Sequence, residues 1–193
     1  MATLFPFSAE IDVPRIPGLA YLPDYITDAD EQRLVQSIDA QPWDTSWQRR
    51  RQPYGVGYGR AEAAAPIPDW GQTLADRLLF EGITDVPFDN MLINEYFPGQ
   101  GISLHRDYDP FGRTVVSLSL LSACVMDFRH AATNQKEQIL LQPRSLLVLS
   151  DTARFDWQHG IAPRKTDLWH GERLPRGRRL SVTFRFRKPS LPT

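Results

Sequence analysis

The chain has 193 residues, long enough to bury one core without disulfide staples. With 41 % apolar and 23 % charged residues and no internal repeat, it reads as an ordinary globular protein, which excludes the disordered, collagen-like and coiled-coil classes. The formal charge is only −1, but residues 1–46 carry eight acids against two bases, and residues 164–188 carry nine bases against two acids. Nineteen of the 22 bases are arginine, so an anionic partner and a merely solvated arginine-rich surface are both open readings. Cys124 stands alone and leaves no internal disulfide. No run approaches a membrane span, and residues 1–17 lack the basic start of a signal peptide; a cytoplasmic monomer that does not engage the membrane is expected.

In chain order, the first predicted element is a helix over about 28–39. Thr27 serves as its N-cap, Asp30 sits three residues on in a capping-box arrangement, and Leu34, Val35 and Ile38 share one side. The segment 43–60 then interleaves Trp43, Trp47, Tyr54 and Tyr58 with Arg49, Arg50, Arg51 and Arg60, and adds three glycines. Arginines track phosphates while flat rings stack on an extruded base. The plainer alternative is a hairpin that packs its rings on the core and leaves its arginines in water. A second helix is predicted over about 69–81, with Trp70, Leu74 and Leu78 at i, i+4, i+8 and Gly82 as its stop.

From residue 88 the pattern changes to short β-branched or aromatic runs between turn residues: 88–96, 115–121, 124–129, 138–141, 145–149 and 179–187. Six short strands predict a sandwich or barrel. In the last one Leu180, Val182, Phe184 and Phe186 alternate with Arg179, Ser181, Thr183, Arg185 and Arg187, so one face is apolar and the other polar. By pattern alone the polar face would meet bulk water.

His105 and Asp107 are one residue apart, so in an extended segment both leave the same face, about 6.6–7 Å apart at the backbone. With His159 they make a 2-His-1-carboxylate set, the ligand type of non-heme Fe(II) oxygenases. By itself the spacing is weak, and His130 and His170 are read as surface residues. The commonest such oxygenases use 2-oxoglutarate, a dianion, and Arg179 and Arg185 offer two carboxylate partners. Six residues of strand span about 20 Å, so one should be the principal clamp and the other should stand at the metal end.

Asn94-Glu95-Tyr96, Pro98-Gly99, His105-Arg106-Asp107, the run from Arg154 through Trp157 and His159 to Ile161, and Arg179-Leu180-Ser181-Val182-Thr183-Phe184-Arg185 together resemble the AlkB family of Fe(II)/2-oxoglutarate dioxygenases. The match is collinear over about residues 90–187. It implies a mainly β (α+β) fold, a double-stranded β-helix or jelly roll with N-terminal buttressing helices. One domain would span 1–193, with an extension over 1–87 and the catalytic core over 88–189. The resemblance further implies iron ligation by His105, Asp107 and His159, and 2-oxoglutarate binding by Asn94, Tyr96, Arg179, Ser181 and Arg185. Arg179 with Tyr96 would take the 5-carboxylate, and Arg185 with Asn94 the metal-side end. The implied reaction couples decarboxylation of 2-oxoglutarate by O₂ to oxidation of a substrate C–H; a carbon bonded to nitrogen is then lost as aldehyde. Ser181 stands where the family usually has Asn, and Leu121 and Asp151 where Gly is common, which suggests altered turns.

In AlkB-type proteins the segment 43–60 resembles a nucleotide-recognition lid, giving Trp47, Arg49, Arg50, Arg51, Tyr54 and Tyr58 as substrate candidates. Asp109 matches a position where repair members hold an acid against the damaged base, although Asp109-Pro110 also reads as a simple turn. Alkylated DNA or RNA is the expected partner. The wording of 99–102, 125–129 and 143–147 resembles AlkB domains that hydroxylate modified tRNA wobble uridines, so tRNA hydroxylation is the alternative. An oxygenase of protein or small molecules comes third.

Overall fold

The computed structural model describes residues 12–57 and 64–188. Among these residues a six-stranded antiparallel sheet and a four-stranded antiparallel sheet face each other, with a separate two-stranded hairpin. The large sheet takes β1 (Leu19–Leu22), β2 (Arg51–Gly55), β3 (Asn90–Tyr96), β5 (Val115–Leu120), β8 (Leu146–Leu149) and β12 (Arg179–Arg185), in the order β1-β8-β5-β12-β3-β2. The small sheet takes β4 (Ile102–His105), β6 (Cys124–His130), β7 (Lys136–Leu141) and β9 (Trp157–Ile161), in the order β4-β9-β6-β7. The hairpin is β10 (Thr166–Trp169) and β11 (Glu172–Pro175). Two facing antiparallel sheets make the jelly roll that the sequence implies.

Helix α1 (Asp28–Asp39) opens as predicted: Thr27 Oγ1 accepts from the Asp30 amide at 3.1 Å, and Asp30 Oδ2 accepts from the Thr27 amide at 3.2 Å. Helix α2 (Asp69–Phe80) ends at Gly82 with φ +72°, where the amides of Gly82 and Ile83 donate to the carbonyls of Leu79 and Leu78. Both helices cover the outer face of the large sheet. Ile38, Leu74 and Leu78 pack there against Met91, Ile93, Leu180, Val182 and Phe184.

Strand β8 shows how the layers divide. Leu146 and Val148 join the helix-side core, while Leu147 and Leu149 join Met126, Phe128, Ile139 and Ile161 between the sheets. Burial on both faces is why this strand lacks an alternating pattern. The polar face of β12 therefore looks into the space between the sheets, and all seven of its residues are buried.

Two features differ from expectation. Strands β1 and β2 come from the 1–87 extension and complete both edges of the large sheet. Pro53 hid β2 from a pattern search, but an edge strand tolerates a missing donor. Leu121 and Asp151 keep positive φ, +74° and +44°, so the glycine-type turns persist with strained residues in them.

Candidate functional site

The site builds upward from the floor of the cavity. On β12, Arg179, Ser181, Thr183 and Arg185 lie in register with Tyr96, Asn94, Leu92 and Asn90 of β3. A cavity of about 460 Å³ stands above them, lined by Asn94, Tyr96, His105, Asp107, His159 and Arg185 among others. Ser181 Oγ is 2.8 Å from Ser117 Oγ, and Arg179 Nη2 donates to Ser119 Oγ at 2.8 Å. Ser117 and Ser119 were not singled out in the sequence, yet polar residues at i and i+2 in an apolar strand were a legible sign of an inward polar face.

Arg179 is 3 % exposed, and its Nε and Nη1 have no hydrogen-bond partner among the described residues. Its guanidinium lies 5.4 Å from the Tyr96 ring centroid. A buried cation with unmet N–H groups is costly unless an anion completes it. Burial also raises the Tyr96 hydroxyl above its ordinary pKa, so it stays a donor.

His105 ends β4, and His159 stands opposite it on β9, with ring centroids 4.6 Å apart. His105 Nδ1 is 2.8 Å from the Ser103 carbonyl. A carbonyl can only accept, so in that contact Nδ1 is the donor and Nε2 is the ring nitrogen left for another partner. Asp107 differs from the extended reading: it lies beyond the end of β4, in a loop whose Asp107 and Tyr108 carbonyls accept from Arg154 at 3.1 and 2.9 Å. Buried Arg154 thus sets the position of a carboxylate that strand geometry does not.

Asp107 Oδ1 accepts from Arg185 Nε at 2.7 Å, and its Oδ2 lies 3.6 Å from His159 Nε2. Burial would raise the Asp107 pKa, but Arg185, His159 and Arg154 outweigh it and hold the carboxyl well below the usual range. Burial pushes His159 down to about 4 against the opposing pull of Asp107, so its imidazole is neutral near pH 7. Among the described residues no group of three or more His, Cys, Asp or Glu is placed so that it could hold a metal ion as it stands. The three side chains are neighbours, with one Asp107 oxygen committed to Arg185. Arg185 and Asn94 both line the cavity but are not cross-strand partners: Arg185 is in register with Asn90, whose Oδ1 lies 3.4 Å from Nη1, while Asn94 faces Ser181. Four residues of strand separate the two asparagines, so register decides the partner.

The lid candidates divide. Trp47, Arg49 and Arg51 line the cavity; Trp47 is 59 % exposed and carries the Arg51 guanidinium 4.3 Å above its ring. Arg51 Nε also donates to Asp44 at 2.9 Å, and Arg49 Nη1 to the Gly101 carbonyl at 3.1 Å. Tyr54 is corrected: it is buried in the helix-side core, where no base can reach it. Arg50 is corrected too, since it turns away to pair with buried Glu95 and lie over Trp43. Asp109 is exposed in a turn and does not line the cavity. Tyr58 and Arg60 lie outside the described residues. His130 packs edge-on to Trp157 and exposed His170 stacks on Trp169, both away from this cavity.

A polar slot between two jelly-roll sheets, lined by two histidines, a carboxylate and a tyrosine that a buried arginine backs, is what an oxygenase of this fold needs. The chain belongs to the 2OG-Fe(II) oxygenase superfamily, whose family model matches residues 33–185. Several of the relatives it resembles are named as AlkB homologues. It is 34 % identical over 176 residues to the uncharacterized protein L905 of Acanthamoeba polyphaga mimivirus, covering 87 % of this chain and 84 % of that one. It is also 34 % identical to the Arabidopsis thaliana alkylated DNA repair protein ALKBH8 homolog and to the Mus musculus tRNA (carboxymethyluridine(34)-5-O)-methyltransferase ALKBH8. These matches cover 88 % and 78 % of this chain, which spans 58 % and 25 % of those two proteins. The solved structure of OsALKBH1 superposes with a TM-score of 0.64 at 20 % identity, covering 88 % of this chain and 98 % of that one, and so supports the fold. The protein is an oxidoreductase of a superfamily that depends on Fe(II) and 2-oxoglutarate. No helix of the described residues is long and apolar enough to cross a membrane.

Proposed function

We propose that this chain oxidises an alkylated or otherwise modified base in DNA or RNA, with His105, Asp107 and His159 holding Fe(II) and Arg179 holding 2-oxoglutarate. The observation that carries the reading is the buried, half-partnered Arg179 guanidinium against Tyr96, a residue that lines one cavity together with His105, Asp107 and His159. The residues fit the two groups chemically. The neutral His159 imidazole and the ionised Asp107 carboxylate are ligands in the form a divalent metal requires. When bound, the iron and its co-substrate supply the oxidising power that removes hydrogen from an unactivated C–H.

The chain's own residues do the rest. Arg179 and Tyr96 bind the distal carboxylate of the co-substrate by charge and hydrogen bond. Ser181 and Asn94 give the cavity wall between its ends its polar character. Arg185 occupies Asp107 Oδ1 and so directs Oδ2 toward the histidines. Trp47 offers a flat apolar surface at the mouth, and Arg49 and Arg51 supply positive charge for the flanking phosphates.

The test loads the protein anaerobically with Fe(II) and 2-oxoglutarate, admits O₂, and follows succinate with and without single-stranded DNA and RNA carrying methylated or etheno bases. Succinate release stimulated by a damaged oligonucleotide supports the reading. Release that only natively modified tRNA accelerates favours the tRNA alternative, to which the mouse relative's name points. Release that no nucleic acid accelerates keeps the oxygenase and removes the nucleic-acid substrate.

A further inference from the structure

Glu95 lies between Asn94 and Tyr96 but on the opposite face of β3, toward the helices, with no solvent exposure. Replacing a buried ion pair by apolar packing is often neutral or stabilising, so a carboxylate retained there invites a reason other than stability. Its contacts supply one. Oε2 pairs with Arg50 Nε, while Oε1 accepts from Arg50 Nη2 at 2.9 Å and from Arg178 Nε at 2.7 Å. The Glu95 amide also donates to the Arg50 carbonyl at 3.1 Å, so Arg50 is tied by main chain and side chain together. Beyond it, the Arg50 guanidinium lies 4.7 Å from the Trp43 ring centroid. Arg178 is braced from its far side by Asp39 at the end of α1, at 2.9 Å through Nη1.

The sequence neighbours of those two arginines face the other way. Arg49 and Arg51, flanking Arg50, line the cavity mouth, and Arg179, following Arg178, is the buried cation against Tyr96, whose ring lines that cavity. One carboxylate beneath the sheet thus reaches the slot above it by two routes, its rim and the Arg179–Tyr96 pair. Arg49 and Arg179 even approach the same ring, each 5.4 Å from the Tyr96 centroid.

We infer that Glu95 is a positioning residue that sets the substrate rim through Arg50 and the co-substrate clamp through Arg178. The inference rests on the reading of Arg179 as the 2-oxoglutarate clamp and of Arg49 and Arg51 as phosphate contacts. Glu95→Gln removes the charge that both arginines share. Arg50→Gln and Arg178→Gln each cut one of the two branches.

The experiment measures two constants for each variant: half-saturating 2-oxoglutarate in substrate-free turnover, and the Kd for a fluorescent single-stranded oligonucleotide. Arg178→Gln should raise the first by about threefold to tenfold and leave the second unchanged. Arg50→Gln should do the reverse, and Glu95→Gln should raise both, with saturated turnover held within about twofold. Arg178→Lys, which keeps the charge, should recover part of the loss.

If the two arginine variants shift both constants alike, or neither, the two-branch role is overturned, and this holds even if Glu95→Gln does not fold. If wild-type protein binds no oligonucleotide, the nucleic-acid reading fails on its own. The Arg178 arm then still decides half of the inference, because an unchanged 2-oxoglutarate requirement in Arg178→Gln overturns it.

Discussion

Arg185 Nε donates to Asp107 Oδ1 at 2.7 Å across 78 residues of sequence, and leaves Oδ2 as the carboxylate oxygen that faces His159. Arg185→Met therefore removes the partner of a buried carboxylate. The variant should lose about 3 kcal/mol of stability and require about tenfold more metal for half occupancy. Thermal unfolding and a Co(II) titration followed by absorbance check the two effects. Undiminished metal affinity would show that Asp107 is positioned by the Arg154-bound loop alone.

Behind Tyr96, Arg179→Lys exchanges a planar fork for a point charge. Half-saturating 2-oxoglutarate should rise about tenfold with little change in saturated turnover. Substrate-free decarboxylation measured against co-substrate concentration reads this directly. No change would move the carboxylate clamp to Arg185.

His159 links stability to pH in the metal-free protein. Its folded pKa of about 4 lies below the ordinary 6.5, so between those values the unfolded chain binds the proton more readily. Its contribution is complete above about pH 6.5 and is lost as pH falls toward 4, amounting to about 3 kcal/mol. Asp107, held below its ordinary value, adds a loss of the same sign once pH drops under about 4. Denaturant midpoints across this range should fall steadily with acidification, and His159→Gln should flatten the upper part of the curve.

Trp47 and Tyr54 looked equivalent in the sequence but should behave oppositely. Trp47→Ala should leave the melting temperature nearly unchanged and weaken oligonucleotide binding by about 1–3 kcal/mol, the range of a base stacked on an aromatic ring. Tyr54→Ala should cost about 3–5 kcal/mol of stability by opening a cavity in the core. Tyr54→Phe, by contrast, should bind oligonucleotide like the parent. Fluorescence anisotropy beside differential scanning calorimetry separates the pair.

Much of this was visible in the chain itself. The Thr27 cap, the Gly82 stop and the alternation of β12 have causes within a few residues, so local pattern located them, and the boundaries of the six predicted strands fall within two residues of those found. Six strands escaped, β1, β2, β4, β9, β10 and β11; in three of them function and edge position had altered the composition, Pro53 in β2 and the site histidines in β4 and β9. Ordered motifs suggested His105, Asp107 and His159 as a set. They did not reveal that Asp107 leaves the strand and is fixed by Arg154.

What the sequence determined by itself is the inventory: which residues are apolar at period two, which can ligate a metal, and which carry charge for an anion. What only the tertiary structure decided is pairing across distance. The register of β3 on β12 gives Arg185 to Asn90 rather than Asn94. The edge placement of β2 sends Tyr54 into the core while Trp47, before it, stays at the mouth. Local propensity reaches only a few residues along the chain, whereas sheet register and the face of a strand are set by the burial of the whole molecule.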